Sequence, residues 1–147
     1  MATVNMSREF QVERKQLWDR LTDPEMWPTF YNNMIHADPA RFAEPGDRVA
    51  CTYRVLGRNT EGTVTLLEIE PAERLRLRGD LKGLPPVEYD WIYSDTEQGT
   101  RIDVNMGSVE VDSWLGRTLD RFVIPKQLEK DLGRSLDNVE SLVGVEI

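Results

Sequence analysis

The chain of 147 residues carries 26 acidic against 18 basic side chains, for a formal charge of −8 and an isoelectric point near 4.7. That balance argues against nucleic acid as a partner, because phosphate binding needs clustered Lys and Arg. The single cysteine, Cys51, excludes an internal disulfide and a cysteine-based zinc site. The length suits a single domain over residues 1–147 with one real core. No apolar run is long enough to span a bilayer and the N-terminus lacks a signal-peptide pattern, so a soluble, cytoplasmic protein is expected.

Val4, Met6, Phe10 and Val12 alternate with polar residues, the pattern of a half-buried strand. Arg8 falls on its apolar face. Either its stem packs at the edge of the buried zone with its head in water, or it points inward as an anchor for an anionic or carbonyl ligand. Two short helices are predicted next. Leu17, Trp18 and Leu21 share a face between Glu13 and Leu21, and Asp23-Pro24 then caps and restarts the chain for Met26, Trp27 and Phe30.

From Asn33 the apolar period is two. A strand near Asn33–Pro39 precedes Val49, Cys51, Tyr53 and Val55, and Gly57-Arg58-Asn59 reads as a hairpin turn into Thr60–Glu70, with a bulge expected at Gly62. Pro71-Ala72-Glu73 turns the chain into Arg74–Leu81, where Arg74, Arg76 and Arg78 read as a wet strand face. A Lys82-Gly83-Leu84-Pro85-Pro86 loop leads to the strand of Val87, Tyr89, Trp91 and Tyr93, and Thr100, Ile102, Val104 and Met106 mark the last one.

The stretch Ser113–Val143 is the only long segment with helical periodicity, with Asp112 and Ser113 as caps and Gly144 as a stop. Leu115, Leu119 and Phe122 form one stripe, and Leu128, Leu132, Leu136, Val139 and Val143 another, offset by roughly 110°. Pro125 lies where the phase changes, so the segment is either one helix bent there or two helices meeting there. Tight hairpins and one apolar face per strand give an α+β fold, a curled seven-stranded antiparallel sheet around this helix, with two short helices after strand 1.

Leu17-Trp18-Asp19 followed by Thr22-Asp23-Pro24-Glu25-Met26-Trp27-Pro28-Thr29-Phe30 resembles the START-like, helix-grip superfamily (SRPBCC), in its polyketide cyclase/dehydratase-like branch. Glu68-Ile69-Glu70-Pro71-Ala72-Glu73-Arg74-Leu75 and Gly99-Thr100-Arg101-Ile102 match its pattern too, so the resemblance runs along nearly the whole chain. It implies a helix-grip fold and a hydrophobic ligand, such as a lipid, sterol or aromatic polyketide, held beneath the long helix. Only some members are enzymes.

Tyr89, Trp91 and Tyr93 on one strand face suit an aromatic or polycyclic ligand, since three large rings in alternation are hard to pack solidly. Tyr53 and Met106 fall on the apolar faces of other strands, Leu119 and Phe122 on the covering helix, and Tyr31 with the Leu84-Pro85-Pro86 loop at a mouth. His36 is the one histidine, read either as an acid–base group or as a strand histidine bonded to backbone. With Asp38 it makes only two of the ligands a metal site needs. No catalytic triad, phosphate loop, nucleotide fingerprint or paired carboxylate motif stands out, so no cofactor is expected. Three functions fit: a carrier or sensor of a hydrophobic small molecule, a polyketide cyclase-like enzyme using Tyr53, Tyr93, Arg8 and His36, or an interaction domain with a filled interior and an exposed apolar patch.

Overall fold

The computed structural model describes residues 3–55, 57–84, 86–108 and 124–144. Strand β1 (Thr3–Phe10) leads into helix α1 (Arg14–Leu21), a 3₁₀ turn (Pro24–Met26) and the single-turn helix α2 (Trp27–Phe30). Six strands follow: β2 (Met34–Ala37), β3 (Arg48–Val55), β4 (Arg58–Glu70), β5 (Arg74–Leu81), β6 (Val87–Asp95) and β7 (Thr100–Ser108). Helix α3 (Ile124–Gly144) comes last. Among the described residues no helix is long and apolar enough to cross a membrane.

The expected helix from Ser113 is described only from Ile124. Its Asp112–Ser113 cap, Leu115, Leu119 and Phe122 lie outside the described residues, as does Pro85. Pro125 stands in the first described turn of α3. Asp23 caps the 3₁₀ turn as its sequence position suggests, accepting from the Glu25 N–H at 3.0 Å.

All strand pairs are antiparallel, and the order β1-β7-β6-β5-β4-β3-β2 leaves the sheet open, with β1 and β2 as its edges. The class is α+β, consistent with the helix-grip fold. Register assembles the apolar alternation of each strand into one continuous inner face. Val4 and Met6 stand opposite Met106 and Val104, which stand opposite Tyr89 and Trp91, which in turn face Leu77 and Leu75.

Two irregularities keep that face in phase. The bulge in β4 lies between Leu66 and Glu68, not at Gly62, which pairs regularly with Cys51 and Leu81. Leu67 is the extra residue, so Leu66 and Ile69 both turn inward although three positions apart. The doublet Leu66-Leu67 is the visible mark of this slip in the sequence. A second shift between Met34 and His36 keeps Met34 and Ala37 inward and turns His36 outward.

The helices cover the inner face. In α1, Leu17, Trp18 and Leu21 are buried, and Trp18 meets Tyr93 edge-on with ring centroids 5.1 Å apart. Trp27 is sealed and donates its indole N–H to the Leu21 carbonyl at 3.0 Å, so this ring both fills the core and closes the end of α1. Leu132, Leu136 and Val139 of α3 are buried as their helical spacing foretold, and the helix packs against β1 and α2. Arg8 takes the first of its two expected roles, its stem largely covered at the edge of the buried zone while its head meets two exposed carboxylates. It lies on the inner face and pairs across to α3, with Asp137 and with Glu140 at 3.5 Å, a strand-to-helix tie.

Trp91 sits at the centre of the inner face with 2% of its surface accessible. It is therefore packed more tightly than the pocket wall its alternation suggested. Trp91→Ala is expected to cost about 3–5 kcal/mol in urea unfolding, the range of a tryptophan cut from solid packing; a loss below about 1 kcal/mol would contradict this. Ala72 occupies the left-handed region at φ 61° in the Pro71-Ala72 turn, a conformation that strains any residue with a Cβ. Ala72→Gly should raise stability by about 0.5–1 kcal/mol in the same assay, and a destabilised variant would show that the Ala72 methyl matters more for packing than for backbone strain.

Candidate functional site

The sequence-predicted residues separate into two layers on the inner face. Trp91, Tyr93 and Met106, on β6 and β7, are all but sealed, at 2%, 3% and 4% accessibility. Tyr31, Tyr53 and Tyr89 pack against this core yet keep part of their surface accessible. Tyr31 comes from the end of α2, Tyr53 from β3 and Tyr89 from β6, so three separated segments bring their rings to one place. Tyr31 meets Trp91 edge-on at 6.2 Å and is flanked by Phe30 and Trp27 at 4.6 and 6.1 Å.

Two strand glycines make room for these rings. A Cβ added at Gly62 would lie 3.0 Å from the Tyr53 ring and 2.9 Å from the Asp80 carbonyl oxygen. One added at Gly79 would lie 3.3 Å from the Tyr89 ring. Both glycines are on the inner face, where β4 and β5 neighbour β3 and β6, so the rings pass close over bare backbone. Sequence reasoning took Gly62 for a bulge. The better signal was a glycine on an apolar strand face beside a strand bearing a tyrosine.

The hydroxyls of this layer are held neutral. Burial raises Tyr31 well above the ordinary tyrosine value, with Tyr89, Tyr93 and Cys51 adding to it. Burial does the same to Tyr53, reinforced by Tyr89, Cys51 and Tyr31. Tyr89 is pushed up to about 12, by burial first and then by the Asp131 carboxylate on α3. Burial alone raises Tyr93. Tyr31, Tyr53 and Tyr89 therefore lie within electrostatic reach of one another. Such groups donate hydrogen bonds readily and ionise only with difficulty.

Beneath them, the Trp91 indole N–H and the Tyr93 hydroxyl are buried without a hydrogen-bond partner among the described residues. Cys51 lies in the same neighbourhood. Burial takes its thiol up to about 12, so it is no nucleophile at neutral pH.

His36 is elsewhere. It projects on the outer face, exposed, with its Nε2 2.7 Å from Asp38 Oδ1, and so bonds a side chain and not backbone. The pair borders a shallow open trough of about 520 Å³ with Thr52, Glu61, Asp80 and Lys82. The sheet separates this trough from the tyrosine cluster, which removes His36 from the candidate acid–base groups of the inner site. No group of three or more His, Cys, Asp or Glu side chains able to hold a metal occurs among the described residues.

Comparison with known proteins agrees with this architecture. The structure of CV1439 from Chromobacterium violaceum superposes with a TM-score of 0.78 at 13% identity, covering 97% of this chain and 98% of that one. TTHA0849 from Thermus thermophilus gives 0.79 at 14% identity, with 98% of each chain covered. DynU16, a protein in the dynemicin biosynthetic locus, gives 0.69 at 14% identity, and 98% of this chain spans 48% of it. At these identities the likeness is one of fold. No curated protein matches the chain. Residues 1–144 match the family model described as polyketide cyclase / dehydrase and lipid transport. The chain belongs to the polyketide cyclase / dehydrase and lipid transport family.

Proposed function

We propose that the chain, acting as one unit over residues 1–147, binds a hydrophobic, aromatic or polycyclic small molecule between the inner sheet face and the C-terminal helix. The observation that carries this reading is the tyrosine trio. Tyr31, Tyr53 and Tyr89 pack against the sealed core yet stay partly accessible, and two of the rings pass close over glycines. Flat rings with neutral donor tips suit a flat ligand with oxygen acceptors at its rim. Trp91, Tyr93 and Met106 back this layer, and Leu119 and Phe122 would close it from the helix side.

A second reading, a polyketide cyclase-like enzyme acting on a poly-β-keto chain, draws support from the same hydroxyls. Neutral tyrosines can polarise ketone oxygens, and the family description includes cyclases. The hydroxyls supply donors and no base, which favours binding over catalysis. An interaction domain has less support, since Ile35, Leu84 and Ile92, the exposed large hydrophobics among the described residues, are divided among β2, the β5–β6 loop and β6. Nucleic acid does not fit either. The three outer-face arginines of β5 are occupied, Arg74 by Asp90, Arg76 by Glu68 and Arg78 by Asp80.

Fluorescence titration with the neutral apolar dye Nile red tests the reading. Wild type should take up the dye, and Gly79→Val, which drives bulk into the Tyr89 ring, should bind it about tenfold more weakly while losing no more than about 1–3 kcal/mol of stability. Absence of uptake by wild type, or undiminished binding by the variant, would sink it.

The neutral hydroxyls make a separate prediction. The protein has four tyrosines, and all four hold their protons more tightly folded than unfolded. Their stabilising effect is intact below pH 10, the unfolded value, and is lost as pH rises toward and through the folded values, about 12 for Tyr89. Each proton involved steepens the decline by about 1.4 kcal/mol per pH unit. Tyrosinate absorbance should therefore rise in one step with alkaline unfolding. A tyrosine titrating near pH 10 in the folded protein would refute the enclosed cluster.

A further inference from the structure

The turn that carries Tyr31 is gripped from one side by α3. Asn138 donates from Nδ2 to the Phe30 carbonyl at 3.0 Å, just before Tyr31. Just after it, the Asn32 backbone N–H donates to Ser135 Oγ at 3.0 Å. The Asn32 and Asn33 side-chain amides donate to the two carboxylate oxygens of Asp131, at 3.1 and 2.6 Å. Ser135 completes the set by donating back to the Asp131 carbonyl at 2.8 Å.

Asp131, Ser135 and Asn138 follow one another at four and three positions, a polar stripe on one face of the helix. The adjoining stripe Leu132, Leu136 and Val139 is the buried one. Ser135 keeps only 4% of its surface accessible, which is unusual for a serine unless its hydroxyl is used. Four bonds thus converge on Phe30, Asn32 and Asn33, the residues that flank Tyr31 in the chain. The backbone is fixed on both sides of Tyr31, and the ring is left to face Trp91 and the other tyrosines.

We infer that Asp131, Ser135 and Asn138 are positioning residues for the candidate ligand site, holding the Phe30–Asn33 turn so that Tyr31 stands in the wall opposite Tyr89. The inference rests on the ligand-binding reading, and it makes the seating of α3 a determinant of affinity. A helix fixed through its leucines alone could slide or rotate slightly and remain buried. One fixed also by directional bonds to a single turn cannot do so without moving Tyr31.

The test compares wild type with Ser135→Ala/Asn138→Ala, with tyrosine ring carbons labelled at Cζ for NMR, and with Nile red as the probe. In the folded double variant, Tyr31 is expected to titrate near 10 before alkaline unfolding, while Tyr93 still does not. Dye affinity should fall about tenfold. A purely structural role would lower the midpoint of unfolding and leave the folded-state titration of Tyr31 where it was, and that result overturns the inference. Should the double variant fail to fold, Ser135→Ala alone is read by the same two signals, release of Tyr31 supporting the clamp and an unchanged titration overturning it. If wild type binds no dye yet Tyr31 is released in the variant, the clamp stands and the ligand-binding reading falls.

Discussion

Every strand turns its apolar residues to the same side of the sheet, so a face seven strands wide must be kept from water. Most of the architecture answers to that demand. Helices α1 and α2 shield one region through Trp18, Trp27 and Phe30, and α3 shields more through Leu132, Leu136 and Val139. The two strand irregularities serve it as well, since without the extra residues Ile35 and Leu67 the strands would turn their apolar sets outward partway along. The outer face stays wet and is laced with cross-strand ion pairs, Arg74 with Asp90 being bidentate.

Sequence periodicity carried the strands and their order of faces because a half-buried antiparallel sheet writes its burial pattern directly into alternate residues. It placed Tyr53, Tyr89, Trp91, Tyr93 and Met106 on the inner side for the same reason, whereas Tyr31, read as part of a mouth, lies beyond any strand at the end of α2. Their separation into a sealed layer and an accessible one was not legible. Val104, Tyr89 and Leu75 all neighbour Trp91 in the sheet, but how closely α2 approaches from the other side depends on contacts between distant segments. Arg8 shows the same limit of local reading. Its place on an apolar face was visible, while its carboxylate partners lie 129 and more positions away on α3. His36 was expected to bond backbone, and instead a bulge in β2 turns it to the outer face, where Asp38 meets it.

The tyrosine cluster illustrates how absence of a side chain shapes a site. Gly62 and Gly79 contribute no surface of their own, yet they set the depth at which Tyr53 and Tyr89 lie. The rings approach the bare backbone at these two positions and come into electrostatic reach of one another. Neutrality then follows from the surroundings, since burial and the nearby Asp131 both oppose a phenolate. A site built this way recognises shape and hydrogen-bond acceptors, with little use for charge.

The strand order also has a bearing on how the chain reaches this state. Strands β3 to β7 form an unbroken meander in which each strand pairs with its sequence neighbour, Val55 meeting Arg58 across only two residues. Strand β1 instead pairs with β7, so that Phe10 meets Thr100 some 90 positions later. Closing a loop of that length costs roughly 3 kcal/mol more chain entropy than closing one of a few residues. The N-terminal strand thus adds the largest single topological cost of the sheet, and it is also the strand on which α3 rests through Arg8. The pairing of β1 and the seating of α3 are for that reason energetically tied, since loss of either leaves the Arg8 contact unmade.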